Sequence, residues 1–117
     1  MEEFKCYCRV ELQGRIGSVM ITELPLGNKV ARFTLSTTYV YTDGDGSLLI
    51  ETTWHTIVAY SRFKDVDLSV LKKGAGVHVV GRIRKQRYTT QSGEERCSDE
   101  IFASEVSGVQ EAVGVTI

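Results

Sequence analysis

The sequence predicts an all-β domain built from five strands. Two observations favour this class: the spacing of the apolar residues and the positions of the turn residues. Apolar and polar residues alternate with a period of two along most of the chain, as in strands that bury one face. Glycine, asparagine and aspartate cluster between these stretches, where tight turns are needed. Residues 61–71 alone depart from the alternation. We therefore expect a single strand-rich domain with one helix.

The first strand is predicted from the alternation over residues 6–12, and it ends near the glycines that follow. Its parity places Cys6 and Cys8 on the apolar side, so both are expected to be small buried side chains. Residues 19–24 form either a second strand or a bent continuation of the first. Turn residues at 25–28 end this part of the chain.

Two long strands follow, over residues 31–41 and 48–60, and both are rich in β-branched and aromatic side chains. The aspartate and glycine residues of 42–46 join them as a mobile connection. Residues 61–71 then carry apolar side chains at helical spacing, and Gly74 is placed like a C-terminal helix cap. This segment predicts the one helix of the domain.

Alternation returns over residues 76–88 and 95–106, which a hairpin turn at 91–93 connects. Residues 1–106 would then form one domain, followed by a loose C-terminal tail over 107–117. Five strands with a helix between the third and fourth long strands are the order of a Greek-key barrel of the OB-fold type.

Length and composition limit the class of protein. A chain of 117 residues with 42% hydrophobic and 25% charged residues is ordinary for one globular domain. No apolar run is long enough to cross a bilayer, and the first residues lack the pattern of a secretory signal. Three cysteines, an odd number, fit a reducing cytosol better than a disulfide framework. We expect a cytoplasmic protein that has no membrane partner.

Charge is distributed unevenly along the chain, although the net charge is only −1. Residues 61–96 hold nine basic and four acidic side chains, whereas residues 97–117 hold four acidic side chains and no basic ones. A basic middle segment can present a local positive surface despite the acidic total. Ordinary solvated surface charges are the alternative interpretation.

The sequence offers little support for catalysis or metal binding. His55 and His78 occur in strands without cysteine or aspartate at ligand spacing. Cys6 and Cys8 are too close together for a zinc knuckle, and Cys97 lacks a partner. Phosphate-binding glycine loops and serine elbows are also missing from the sequence. We therefore expect no enzymatic activity, no bound metal and no cofactor.

Six blocks of the sequence carry a resemblance that covers residues 6–110. They are residues 10–17, 30–37, 53–55, 71–74, 80–84 and 88–93. In order and spacing these blocks resemble the bacterial single-stranded DNA-binding proteins. The resemblance implies a nucleoid-associated OB-fold homotetramer, occasionally a dimer, that wraps single-stranded DNA during DNA replication, repair and recombination. The acidic C-terminal tip with which that family recruits replication and repair proteins has no counterpart at residues 111–117.

A surface that binds any single strand needs aromatic faces for the bases and cations for the phosphates. Trp54 and Tyr60 lie on the same face of the third long strand. On the next strand, Arg82 and Arg84 lie on the face opposite to Ile83, a predicted core residue. A lone tryptophan in the core is the alternative interpretation of Trp54. The candidate DNA-binding residues are Trp54, Tyr60, Tyr88, Tyr41, Arg84, Arg82, Lys72, Lys73, Arg62 and Arg87.

Assembly is expected because the first strand has no proline or other protection on its edge, and an open edge pairs with a neighbour. In the family resembled, a histidine at the position of His55 lies at a subunit contact. We expect a homotetramer, built as a dimer of dimers, with His55, Tyr7 and Arg9 at subunit boundaries. The main alternative is a dimeric replication-restart (primosomal) adaptor that acts through protein partners. A nuclease on the same barrel is a third possibility.

Overall fold

The computed structural model describes residues 3–110, which form a closed barrel of five β-strands. The strands are β1 (Val10–Glu23), β2 (Lys29–Thr42), β3 (Leu48–Tyr60), β4 (Gly76–Thr89) and β5 (Glu95–Gly108). Around the barrel their order is β1-β2-β3-β5-β4, and neighbours are antiparallel except for the parallel pair β3 and β5. The predicted all-β, five-stranded barrel is confirmed, and its strand order is that of an OB-fold.

β1 pairs with two neighbours because it bends. Its first part, from Val10 to Arg15, pairs with β4, and its second part, from Arg15 to Glu23, pairs with β2. The register shifts between Ile16 and Val19, where a β-bulge sharpens the twist of the strand. The segment from residue 19 is therefore a continuation of the first strand, one of the two predicted possibilities.

The inner side chains of all five strands fill the barrel with apolar groups. Phe33 and Leu35 of β2 and Ile57 of β3 are almost completely buried, as the alternation predicts. From the strands, the core cluster contains Ile16, Ala31, Phe33, Leu35, Ile57, Ala59, Val77, Val79, Ile101, Ala103 and Val106. Each large side chain buried in this way contributes about 1.5–3 kcal/mol to the free energy of unfolding.

Ile83 is an exception to the predicted core of β4. It shares its parity with Val77 and Val79, yet half of its side chain is exposed. The pairing of β1 with β4 ends at Gly81, so among residues 3–110 no strand pairs with β4 on its β1 side beyond this residue. Ile83 therefore lies at the open end of the core.

The helix predicted over residues 61–71 is wrong. Only a 3₁₀ turn at Leu68–Val70 forms there, because the preceding backbone pairs with β5. The Asp67 N–H donates to the Val106 carbonyl at 3.1 Å, and the Val106 N–H donates to the Asp65 carbonyl at 3.0 Å. These bonds hold residues 65–67 along β5, and the residues before them form turns in which the Val66 N–H donates to the Phe63 carbonyl at 3.1 Å. In the part of the chain that the structure describes, no helix is long and apolar enough to cross a membrane.

The helical spacing of this segment arises from its side chains, which still pack on the barrel core. Val66 and Leu71 are buried in the core cluster, and Phe63 packs against it. The 3₁₀ turn is capped by Asp67, whose carboxylate accepts hydrogen bonds from the hydroxyl and backbone N–H of Ser69. These two bonds lower the pKa of Asp67.

Cys6 and Cys8 are exposed, so the prediction that they are buried is wrong. β1 begins only at Val10, and residues 3–9 precede it without strand pairing. Alternation along this segment therefore has no core to face. Cys97, on β5, is exposed as well.

The hairpin turn predicted at 91–93 is present, and a second hairpin turn connects β2 and β3. Gly46 between β2 and β3 has φ 86°, and Gly93 between β4 and β5 has φ 87°, a left-handed region that favours glycine. The Asp43 carboxylate accepts hydrogen bonds from the backbone N–H groups of Asp45 and Ser47, at 3.1 and 3.0 Å. These hydrogen bonds lie within the connection that the sequence predicts to be mobile.

The last strand extends two residues into the C-terminal tail predicted over 107–117. β5 continues to Gly108, and Ser107 and Gly108 pair with His78 and Val77 of β4. The remainder of that predicted tail, residues 111–117, lies outside the described residues.

Close approach of β1 and β2 makes Gly14 sensitive to any side chain. A Cβ atom at Gly14 would clash with the Ser36 carbonyl oxygen, a backbone atom that cannot rotate away. We expect Gly14→Ala to lower the free energy of unfolding by about 1–3 kcal/mol, measured by urea denaturation. Gly44→Ala is the control, because open space surrounds Gly44 in its loop. Equal denaturation midpoints for the two variants would contradict this account of β1–β2 packing.

Candidate nucleic-acid interface

The outward side chains of β2, β3, β5 and β4 form one continuous surface, which we call the outer face. These four strands are adjacent in the barrel. Their register places Arg32 beside Val58, Val58 beside Phe102, and Phe102 beside Arg82. One row of side chains therefore crosses four strands, although its members are far apart in the sequence.

Trp54 lies on the outer face of β3, opposite Ser36 of β2. The indole ring packs over Gly17, where a Cβ atom would come within 2.6 Å of Trp54 Cζ3 and 2.7 Å of Thr34 Oγ1. A glycine at this position thus makes room for the ring against the barrel wall. The side chain remains 59% exposed, which makes Trp54 a surface residue and not a core residue.

Further along the outer face, Phe102 is the centre of a group of three aromatic rings. The ring centroids of Tyr60 and Phe102 are 5.5 Å apart, and Phe63 meets Phe102 edge to face at 5.8 Å. Aromatic pairs at such distances stabilise a fixed arrangement beyond their burial alone. The three rings come from β3, from the turn after it, and from β5.

Three guanidinium groups lie over these rings. Arg82 and Arg84 lie 5.1 and 4.8 Å from the Phe102 centroid. Arg62 lies 5.3 Å from the Tyr60 centroid and is similarly close to Phe63. Cations within about 6 Å of a ring are attracted by its π electrons. We call Tyr60, Arg62, Phe63, Arg82, Arg84 and Phe102 the arginine–aromatic cluster.

A buried carboxylate lies next to this cluster. Glu100 Oε1 accepts a hydrogen bond from Arg84 Nη2 at 2.8 Å, and its Oε2 accepts one from Arg32 Nη1 at 3.0 Å. The Glu100 side chain is only 1% exposed. Its hydrogen bond is the main reason that the pKa of Arg84 is raised, against an opposing contribution from burial.

The arginine–aromatic cluster consists of aromatic rings and planar guanidinium cations, which suit binding. Aromatic faces can stack on bases, and arginine forks can bind phosphates with two parallel hydrogen bonds. Among residues 3–110, no three histidine, cysteine, aspartate or glutamate side chains are grouped so that they could hold a metal ion.

The structure brings together four of the residues predicted from sequence and places a fifth, Trp54, elsewhere on the same face. Tyr60, Arg62, Arg82 and Arg84 belong to the arginine–aromatic cluster, and Trp54 lies on the same face of β3 as Tyr60.

The other predicted residues lie away from the cluster. By strand alternation Tyr41 points to the opposite side of β2 from the outer face, near the hairpin. Arg87 and Tyr88 are exposed near the β4–β5 hairpin, where they pair with β5. Lys72 and Lys73 are exposed in the turn before β4.

The residues predicted at subunit boundaries occupy two places. His55 has the inner parity of β3, opposite Leu35, and its Nε2 is hydrogen-bonded to the Thr37 hydroxyl at 2.8 Å. Tyr7 and Arg9 are exposed in the segment that precedes β1.

Sequence reasoning missed four residues of this site: Arg32, Phe63, Glu100 and Phe102. Phe63 has helical spacing with its neighbours, which predicts a helix core and not a surface ring. Alternation on β5 does place Phe102 outward, between the buried Ile101 and Ala103. Its position near Tyr60, however, depends on the parallel pairing of β3 with β5, which no local pattern reveals.

Comparison with known proteins agrees with this geometry. The sequence profile of the Single-strand binding protein family matches residues 7–109. Single-stranded DNA-binding proteins of Neisseria meningitidis serogroup A (serotype 4A) and serogroup B are each 32% identical over 99 residues, which are 84% of this chain. The matched part is 57% of those proteins, so the chain spans little more than half of their length.

Two solved structures are similar to the barrel. A Plasmodium falciparum SSB in complex with ssDNA has a TM-score of 0.78 and 28% identity, covering 93% of this chain and all of its own. A deletion mutant of the Thermus aquaticus single-stranded DNA binding protein has a TM-score of 0.72 at 17% identity, covering 89% of this chain and 51% of its own, and it shares the fold. Because the family profile covers nearly the whole described chain, this protein belongs to the single-strand binding protein family.

Proposed function

We propose that this protein binds single-stranded DNA through its outer face without reading the base sequence. The observation that carries the proposal is the arginine–aromatic cluster, in which three guanidinium groups lie over three rings on one side of the barrel. The names of the neisserial relatives and the DNA in the Plasmodium complex support the same ligand. The role is binding, and none of its steps requires catalysis.

Within the outer face, rings and cations have different tasks. Trp54 is the most accessible ring on β3 and offers its indole to a base. Phe102 is covered by Arg82 and Arg84, so it orients these guanidinium groups toward phosphates. Stacking accepts any base because every base has a π face. Paired bases hide those faces, and duplex DNA should therefore bind weakly.

The strand is expected to continue beyond the outer face along the hairpins. Tyr88 has the parity of Arg82 and Arg84 and extends the surface toward the β4–β5 turn. Arg87, of the opposite parity on β4, and Tyr41, on the side of β2 opposite to the outer face, would contact a strand that bends around the tips of the two hairpins. Lys72 and Lys73 add two exposed cations at the turn before β4. These five residues complete the proposed path for DNA.

Wrapping of a longer strand requires several barrels, and β1 offers an edge for assembly. Within the described chain, the segment from Val10 to Gly14 pairs with β4 on one edge only, because pairing with β2 starts at Arg15. An open edge favours two-fold pairing with a second copy. We propose a homotetramer, built as a dimer of dimers, with His55 and the Tyr7–Arg9 segment at subunit boundaries. It would act in DNA replication, repair and recombination.

Trp54→Ala tests the proposed stacking. The expected decrease is about 1–3 kcal/mol of binding free energy for oligo(dT), because one base no longer stacks on the indole. Stability should change by less than about 1 kcal/mol, because the side chain is largely exposed. Titration by fluorescence anisotropy and urea denaturation of the same variant measure both quantities.

Ile57→Val is the matched control, since Ile57 is on the same strand but fully buried. It should lower stability by about 0.5–1.5 kcal/mol and leave DNA affinity unchanged. If Trp54→Ala behaves like this control, Trp54 is a structural residue and the stacking proposal fails.

Assembly is measured by light scattering at micromolar concentration. We expect a particle of four times the 13.0 kDa chain mass, because one barrel offers too short a surface for wrapping. A monomer would refute the assembly proposal. A stable dimer with weak DNA binding would favour the adaptor alternative instead.

A further inference from the structure

Glu100 stands out because it is a buried acid on a surface expected to bind a polyanion. Its side chain lies on the outward side of β5, on the same face as Phe102. Among the described residues it is the one charged side chain that is buried. Burying an ionised carboxylate is costly unless charged partners compensate. Arg32 and Arg84, two arginines of the outer face, compensate the charge of Glu100.

The carboxylate lies beneath the two guanidinium groups. Arg32 and Arg84 are 52% and 32% exposed, whereas Glu100 is 1% exposed. A phosphate that approaches from solvent therefore meets the arginines first. Both arginines therefore keep part of their surface accessible to a ligand, and Arg32 keeps the larger part.

Each arginine uses only part of its hydrogen-bonding capacity on Glu100. Arg84 donates from Nη2 and Arg32 from Nη1, which leaves the second terminal nitrogen of each side chain outside these two bonds. Arg84 is held further by the Phe102 ring at 4.8 Å, and its buried Nε has no hydrogen-bond partner within the described chain. Arg84 is thus restrained by Glu100, by the Phe102 ring and by a hydrogen bond with Tyr60, and Arg32 is restrained by Glu100.

The position of Glu100 also links distant strands. Arg32 comes from β2 and Arg84 from β4, on either side of the β3–β5 pair. One carboxylate therefore sets the spacing of two cations that nothing else in the register brings together. Without it, two positive groups at this distance would repel each other and adopt many rotamers.

We propose that Glu100 is a positioning residue for DNA binding, which holds Arg32 and Arg84 in place so that exposed N–H groups not bonded to Glu100 face the phosphates. This inference rests on the proposed function. It reverses the simple electrostatic expectation, by which an acidic residue on a DNA-binding surface weakens binding and its removal strengthens it.

Glu100→Gln tests the inference, because glutamine keeps the shape and removes the charge. We expect oligo(dT) affinity to fall about tenfold, although the protein becomes more positive. The slope of log affinity against log salt should become shallower by about 0.7 for each phosphate that the variant no longer binds. A purely structural role would lower the melting temperature without changing this slope.

Glu105→Gln is the matched control, since Glu105 is exposed on the same strand and the charge change is identical. It should bind oligo(dT) as tightly as the wild-type protein or more tightly. Binding by Glu100→Gln that equals or exceeds that of Glu105→Gln would overturn the inference. Lower stability with unchanged affinity and slope would overturn it as well. A wild-type protein that does not bind oligo(dT) would overturn the proposed function and the inference together.

Glu100→Asp serves if the glutamine variant does not fold. Aspartate keeps the charge, but its side chain is one methylene shorter and cannot reach both arginines. We expect affinity below that of the wild type, with Glu105→Asp unchanged. Wild-type affinity in folded Glu100→Asp would contradict the positioning role.

Discussion

Closure of a five-stranded barrel divides each strand into an inner and an outer row of side chains. The interior is narrow and is filled by apolar groups such as Phe33 and Ile57, so rings with polar partners and charged side chains must lie outside. Closure also makes β3 and β5 neighbours. This single pairing brings Phe102 beside the outer face of β3, and the arginines of β4 follow with it. The proposed DNA surface is thus a consequence of barrel closure.

Alternation along the chain is sufficient to predict the strands, because it records which side chains face a common core. Alternation is insufficient to predict the structure of a segment when the sequence does not show which surface that segment packs against. The segment with helical spacing forms turns and a backbone bridge to β5 in place of a helix, because Asp65 and Asp67 bond to the backbone of Val106, and apolar spacing alone cannot distinguish these cases. Cys6 and Cys8 alternate correctly but precede the barrel, so their parity has no meaning for burial.

A residue of the candidate site can be predicted from sequence only when its position follows from the alternation of its own strand. Trp54 and Arg84 can be assigned to an outward side from their own strands. Phe102 and Glu100 depend on contacts across three strands, and their sequence neighbourhood does not distinguish them from ordinary surface positions. The buried glutamate even counts against a DNA-binding surface in a charge tally, although it pairs with two of the cations on that surface. Whether Glu100 is expected to favour or oppose DNA binding therefore depends on the strand register that pairs it with Arg32 and Arg84, and not on the amino-acid composition.

Fluorescence of Trp54, the only tryptophan in the sequence, tests binding of bases at the outer face most directly. Titration with oligo(dT) should quench its emission in a saturable manner. A duplex of equal length should cause little change at the same concentration, because its base faces are hidden. If anisotropy of a labelled strand shows binding while Trp54 emission stays unchanged, DNA binds elsewhere and the outer face is not the binding surface.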